Sequence, residues 1–233
     1  ALDGTPNVLD GQGIYANAEY TVNGNVKIHG KNLTRQFHGI YVDYDGSFKH
    51  TGDLEVTSDN VKGDVYSLYN NSGKLFINAE NGVVTPGKTV KLNGNISAGG
   101  ETEVALTNAE SFLKGTISAG WNDSDATLYL QNGATWINQS TTERDKESNV
   151  KKLRGGDTEA AKGYILPKEN DNITLGTYGG HARVYWTHQT DTPTVMEGPS
   201  CQGSGSGQRS LFSDEPRWGD GRQRRGRAER FSE

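Results

Sequence analysis

The sequence predicts an all-β protein, a right-handed parallel β-helix (β-solenoid) followed by a disordered Arg/Gly-rich C-terminal tail. The first observation is a repeat: Gly13-Ile14-Tyr15 recurs as Gly39-Ile40-Tyr41 and, more loosely, as Asp64-Val65-Tyr66. The second is that each copy precedes a short segment of alternating apolar and polar residues, at 26–28, 54–56 and 75–77. The third is that Asn, Asp or Gly ends each segment. Short strands repeated at this period are typical of a solenoid.

The elements follow one another in the order that such a coil requires. Residues 1–12 form a lead-in, and residues 13–198 form the solenoid, in which no segment has a helical apolar period. We expect seven or eight turns of roughly 20 to 26 residues, stacked about 4.8 Å apart into a rod of about 35 Å. The strands predicted in the first part of the solenoid are 22–28, 39–44, 54–57, 65–69, 75–78, 89–92, 103–106, 113–117, 126–130 and 134–137.

Asn-Gly pairs punctuate these strands. Asn23-Gly24, Asn81-Gly82, Asn93-Gly94 and Asn132-Gly133 suit the positive φ angles of tight corners. Asn side chains at stacked corners can also pair from one turn to the next as a ladder. A simple abundance of Asn explains the same pattern equally well.

The regular pattern is interrupted after residue 139. Residues 140–163 predict a charged loop around Glu143-Arg144-Asp145-Lys146-Glu147, with a short strand at 150–153. Two more strands follow, at 173–175 and 182–187. Residues 199–233 differ in kind, since they hold seven of the eleven arginines and no Lys, Asn, Thr, Val or Ile. A basic tail that binds an anionic partner is one interpretation; a stretch translated out of frame is the interpretation we favour.

Composition excludes several classes of protein. Residues 1–198 carry no basic patch of the kind that binds nucleic acid, and the whole chain has a net charge of −5. No apolar run is long enough for a membrane-spanning helix. Cys201 is the only cysteine, so the solenoid has no disulfide and no cysteine metal site. Ala1 and the residues after it do not resemble a signal peptide, and we expect a mature product or a fragment.

Polar clusters offer little catalytic chemistry. Asp43 and Asp45, like Asp123 and Asp125, have D-x-D spacing but lack the ordered ligand series of a calcium loop, and they are better interpreted as turn carboxylates. The five histidines show no metal-binding spacing. We expect no metal, no cofactor and no catalytic residue. A glycan-active enzyme would need carboxylates and a base on one face, for which Asp43, Asp45, Lys49 and Asp53 are the candidates.

The tyrosines are the candidate binding residues. Five of them recur with the repeat: Tyr15, Tyr41, Tyr44, Tyr66 and Tyr69. Their spacing fits a strip that stacks on sugar rings. It also fits simple stacking of one turn on the next in the core, which we regard as the stronger interpretation. Trp121, Trp136 and Trp186 are expected to cover the edge of the core.

Several segments resemble the pertactin-like passenger domains of bacterial autotransporters. The segment Gly13-Ile14-Tyr15-Ala16 is similar to a recurring rung of that family, and residues 128–136 (LYLQNGATW) are similar to a rung found late in such passengers. Residues 148–156 and 173–186 resemble the strands that follow it. This resemblance, which covers about residues 11–198, implies a β-helix exported through an outer-membrane translocator barrel and displayed on the bacterial cell surface.

The sequence therefore predicts a non-catalytic surface-displayed passenger that acts in adhesion or aggregation. Its partner would be a glycan or a protein of a host or bacterial surface, bound along an extended solenoid face. Two alternatives stay open: a β-helical polysaccharide lyase or hydrolase, and a purely structural spacer.

Overall fold

The chain winds into a parallel β-solenoid of about six turns and is almost entirely β-structure. The computed structural model describes Leu2–Asp3 and residues 10–118, 125–141, 147–167, 173–187, 195–197 and 205–210. Trp121, Asp123, His188 and residues 143–146 of the charged cluster lie outside the described residues, as do residues 199–204 and 211–233 of the predicted tail. The fold class predicted from sequence is confirmed.

The described strands are two to seven residues long, and within the described part of the chain one 3-10 turn, at Glu159–Ala161, lies between them. In chain order the described strands are β1 (Leu2–Asp3), β2 (Asp10–Ala16), β3 (Glu19–Asn23), β4 (Val26–Lys31), β5 (Gln36–Val42), β6 (Gly46–Thr51), β7 (Leu54–Asp59), β8 (Asp64–Asn70), β9 (Gly73–Ile77), β10 (Ala79–Glu80), β11 (Val83–Val84), β12 (Val90–Asn93), β13 (Asn95–Ala98), β14 (Glu101–Leu106), β15 (Phe112–Lys114), β16 (Ile117–Ser118), β17 (Ala126–Leu130), β18 (Thr135–Asn138), β19 (Ser148–Arg154), β20 (Gly163–Pro167), β21 (Ile173–Gly179), β22 (Ala182–Thr187), β23 (Val195–Glu197) and β24 (Gly205–Ser210).

Three long sheets form the walls of the coil. Sheet 1 has the order β1-β4-β7-β12-β15-β18-β20-β22-β23, sheet 2 the order β2-β5-β8-β13-β16, and sheet 3 the order β3-β6-β9-β14-β17-β19-β21-β24. Each complete turn passes through sheet 2, then sheet 3, then sheet 1. Neighbouring strands are parallel except at the last positions, where β23 pairs antiparallel with β22 and β24 with β21. Strand β24 lies within the segment that was predicted to be a disordered tail.

The main hydrophobic core lies between the three sheets and consists of columns of stacked apolar side chains. Along sheet 1 one inward position is occupied by seven register partners that are all buried: Ile28, Val56, Leu92, Leu113, Trp136, Ile165 and Val184. Side chains that alternate inward and outward at period two place these residues directly above one another. Trp136 is 0% exposed, so it lies inside the core, and its predicted position at the core edge is wrong.

Several turns in the first half of the coil are longer than the sequence suggested. Ile40 pairs with Leu68, 28 residues later, and Tyr20 pairs with Phe48 at the same offset. In the third turn the β10–β11 hairpin adds residues between β9 and β12, so that Leu54 pairs with Val90. Later turns are shorter, since Leu92 pairs with Leu113, 21 residues on, and the coil has about six turns instead of the expected seven or eight.

The corners at the Asn-Gly pairs contain the positive φ angles that the sequence predicts. Asn81 and Asn132 have φ angles of 51° and 53°, and the glycines that follow them are also at positive φ. Gly24 and Gly94 are at positive φ as well. The predicted strands 22–28 and 113–117 are each divided by a corner, at Gly24-Asn25 and at Gly115-Thr116. One pair of stacked corner asparagines is hydrogen-bonded from turn to turn, since the Asn60 side chain donates to Asn32 Oδ1 at 2.8 Å.

The repeated glycine of the Gly-Ile-Tyr motif has a steric cause. A Cβ atom at Gly39 would lie 2.3 Å from Val56 Cγ1 and 2.5 Å from the Ser67 carbonyl oxygen. Strand β5 therefore approaches its neighbours more closely there than any larger residue allows. The third copy of the motif is shifted, however: Ile40 and Tyr41 pair with Leu68 and Tyr69. The match to Asp64-Val65-Tyr66 was out of register.

Candidate functional site

Three of the predicted tyrosines form a column on the outer face of sheet 2. Tyr15, Tyr41 and Tyr69 are register partners on β2, β5 and β8. The ring centroids of Tyr15 and Tyr41 are 5.3 Å apart, and those of Tyr41 and Tyr69 are 5.1 Å apart in an edge-to-face arrangement. The next partners in this column are Ser97 and Ser118, so the aromatic column ends after three turns.

A second column beside it holds His38 and Tyr66. Tyr66 pairs with His38 on β5, and its ring contacts Tyr69 edge-to-face at 5.0 Å. The His38 imidazole stacks on the Tyr69 ring at 4.6 Å and meets Tyr41 and Tyr66 by its edges. These five rings form what we call the tyrosine cluster: Tyr15, His38, Tyr41, Tyr66 and Tyr69.

Exposure varies across the cluster. Tyr15 is 39% exposed, Tyr41 and Tyr69 are half-buried, and Tyr66 is buried. Because the rings are steeply inclined to one another, they do not make one flat platform. The contacts stabilise the stacking of turns, while the cluster still shows aromatic surface to solvent at its Tyr15 end.

His38 is the polar group inside this aromatic surround. It is 6% exposed, and its Nδ1 has no hydrogen-bond partner among the described residues. Burial lowers the pKa of His38 to about 4, although the Asp10 carboxylate opposes the shift. His38 is therefore neutral at pH 7 and acts as one more aromatic ring.

A hydrogen-bonded corner adjoins the cluster between β5 and β6. Asp43 accepts from the Tyr41 hydroxyl at 3.0 Å, from the Tyr44 backbone N–H at 2.9 Å and from the Asn71 amide at 3.0 Å. Burial alone would raise the pKa of Asp43, but these three donors outweigh it and lower the pKa. Tyr44 does not join the ring stack; it is held at this corner with φ 52° and is 74% exposed.

Thr141 adjoins the opposite end of β8 and β13. Its hydroxyl donates to the Val65 carbonyl oxygen at 2.7 Å, and its backbone N–H donates to Asn95 Oδ1 at 3.0 Å. This contact joins residues 76 positions apart in sequence and lies where the register of β8 and β13 shifts. The tyrosine cluster is thus bordered by two polar corners.

The four residues considered for a glycan-active enzyme do not converge. Asp43 and Asp45 precede β6 and Asp53 follows it, so the carboxylates lie at opposite ends of a six-residue strand. Lys49 forms an ion pair with Glu80, and Asp53 accepts from the Thr89 backbone at 2.9 Å. Among the described residues, no group of three or more His, Cys, Asp or Glu side chains is placed to hold a metal ion.

Sequence reasoning missed two members of this region, His38 and Asn71. His38 had been considered only as a metal ligand, and Asn71 was not singled out. Aligning successive turns of the sequence at an offset of 28 residues identifies both, because this offset pairs His38 with Tyr66 and Asp43 with Asn71.

No protein-family model matches the chain, and no curated protein or solved structure is significantly similar to it. Within the described part of the chain, no helix has the length and apolar character needed to cross a membrane.

Proposed function

We propose that this chain is a non-catalytic adhesion protein of the autotransporter-passenger type, which binds a glycan or a protein on a cell surface through the outer face of sheet 2. The observation that carries the proposal is the tyrosine cluster, which holds an aromatic strip at the surface across three successive turns. Aromatic side chains supply large contact areas at low entropic cost, and they are enriched in binding surfaces.

The surroundings of the cluster support a binding role. Exposed Tyr15 and Tyr44 flank the hydrogen-bonded Asp43 corner, so apolar ring surface and fixed polar groups alternate over a short distance. The parallel stacking makes this surface rigid, and a rigid surface loses little entropy on binding. Display of many copies of the chain on one cell surface would add avidity when the partner is itself repetitive.

Adhesion of the purified chain to arrays of immobilised glycans and matrix proteins tests the proposal. We expect Tyr15→Ala and Tyr44→Ala each to weaken binding by about five- to thirtyfold, as for an aromatic contact worth about 1–2 kcal/mol. Both side chains are exposed, so neither change disturbs the core.

Tyr164→Ala is the matched control, because Tyr164 packs against Tyr185 across two strands of sheet 1, on another face of the rod. Its affinity should equal that of the wild type. If no array member binds the wild-type chain, the spacer interpretation replaces adhesion. If Tyr164→Ala weakens binding as much as Tyr15→Ala, the partner does not bind specifically through the outer face of sheet 2, and the proposal is wrong.

A further inference from the structure

A groove of about 760 Å³ runs across the outer face of sheet 3, away from the tyrosine cluster. Its floor is formed by outward side chains of β14, β17 and β19. One wall is the β10–β11 hairpin, with Asn81 and Gly82 at its tip, and the other end is bordered by residues 155–157 and 179–180. The walls come from the third turn and from the last turns of the solenoid.

Two columns of register partners set the chemistry of the floor. One column reads Glu103, Thr127, Lys152, and the other reads Ala105, Tyr129, Arg154, Gly179. Strands spaced about 4.8 Å apart place Glu103 and Lys152 about 10 Å from each other, one at each side of the groove. On the floor of the groove the acidic and the basic side chains therefore lie on opposite sides, and Asp157 adds a carboxylate at the end beside Arg154.

The carboxylates on the acidic side already have hydrogen-bond or ion-pair partners within the protein. The buried Glu103 carboxylate accepts from the Tyr129 hydroxyl at 3.0 Å and from the Gly82 backbone N–H at 3.2 Å. Burial, together with the charge of Glu103 and this hydrogen bond, raises the pKa of Tyr129 to about 12, so its hydroxyl remains a donor. Glu101, beside them, is within ion-pair distance of Lys74 at 3.6 Å.

The two cations on the basic side, Lys152 and Arg154, lack partners of this kind in the described part of the chain. Lys152 and Arg154 make no hydrogen bond or ion pair with another described residue, whereas Lys151 on the same strand pairs with Asp125. The Arg154 guanidinium lies over Gly179, where a Cβ atom would be 2.8 Å from Nη1. A guanidinium on the floor of a groove, with its N–H donors available, suits a planar carboxylate, which it can bind through two parallel hydrogen bonds.

We propose that this groove binds a carboxylated saccharide, with the sugar carboxylate on Arg154 and Lys152 and sugar hydroxyls on the Glu103 side. A saccharide fits better than an acidic peptide because most of the lining consists of polar side chains and glycine backbone, and its apolar surface among the described residues is confined to Val84 and the ring of Tyr129. Peptide and protein partners need apolar or aromatic anchor pockets for most of their affinity. A saccharide instead offers many hydroxyls to such polar groups.

Binding should be measured by calorimetry with the full chain and hexamers of glucuronate, galacturonate and mannuronate, each beside its carboxyl-reduced form. At least one uronate hexamer is expected to bind, and its reduced form about tenfold or more weakly, as for the loss of a charge-assisted hydrogen bond. Lys152→Ala and Arg154→Lys should each cause a similar loss; the second keeps the charge but removes the planar fork.

Lys151→Ala is the matched control, because Lys151 lies on β19 with the same charge but outside the groove. It should change affinity less than about twofold. The proposal is overturned if none of the three uronates binds, if Lys151→Ala weakens binding as much as Lys152→Ala, or if oligoglutamate binds as tightly as the best uronate. Tyr15→Ala should leave uronate binding unchanged, so this site and the proposed adhesive face can fail separately.

Discussion

The buried histidine of the tyrosine cluster gives this solenoid a specific dependence of stability on pH. His38 is enclosed by Tyr41, Tyr66 and Tyr69, and burial lowers its pKa from 6.5 to about 4 despite the nearby Asp10 carboxylate. In the unfolded chain the same imidazole takes up its proton near pH 6.5. Protonation therefore favours the unfolded state.

The expected loss follows from the two pKa values. The free energy of unfolding falls as the pH drops below 6.5, and the loss is complete below about pH 4, where it amounts to about 3 kcal/mol. Above pH 6.5 the imidazole is neutral in both states and contributes no pH dependence. The contribution is large because a domain is stable by only about 5–15 kcal/mol.

His38→Phe isolates this contribution. Phenylalanine keeps the aromatic packing and cannot titrate, and the buried Nδ1 of His38 has no hydrogen-bond partner among the described residues that the change would remove. Urea midpoints of both proteins should be compared from pH 7.5 to pH 3.5. At pH 7 we expect the variant to be at least as stable as the wild type, and toward pH 4 the wild type should lose about 3 kcal/mol more. His50, whose pKa burial also lowers, is present in both proteins and cancels in the difference. Parallel stability curves for the two proteins would refute the reasoning.

Two further predictions concern the corners and the repeated motif. Asn78 clasps the corner of the preceding turn, since its side chain accepts from the Gly52 N–H and donates to the Gly52 carbonyl oxygen, both at 2.9 Å. Asn78→Ala should lower the free energy of unfolding by about 2–4 kcal/mol more than the control Asn81→Ala. Asn81 is a suitable control because it is an exposed corner residue with a similar positive φ. Equal urea midpoints for the two variants would contradict this role of Asn78. Gly39→Ala should cost more than about 2 kcal/mol, because the new methyl group would meet Val56 and the Ser67 backbone. A thermal midpoint within the experimental error of the wild type would show that β5 can move away, contrary to this packing.

The sequence by itself determined many of the strands, the Asn-Gly corners and hence the class of fold. Strands 126–130 and 182–187 were predicted with the observed bounds, and the Asn-Gly pairs lie at corners with positive φ. These features are local: alternation at period two decides which side chains are buried, and Asn and Gly adopt positive φ at low cost. Neither depends on which turn lies above another.

Only the tertiary structure decided how the turns are aligned. Asp64-Val65-Tyr66 and Ser67-Leu68-Tyr69 both resemble the motif in sequence, and the core selects the second because Leu68 stacks on Ile40. That shift of three residues places Tyr69, and not Tyr66, on Tyr41, and it brings His38 into the cluster. Tertiary packing likewise sets the columns of sheet 3, where Glu103, Tyr129 and Arg154 meet although they are 51 positions apart from first to last. Corner lengths vary from turn to turn, so register is a property of the packed core and cannot be obtained from the spacing of a degenerate motif.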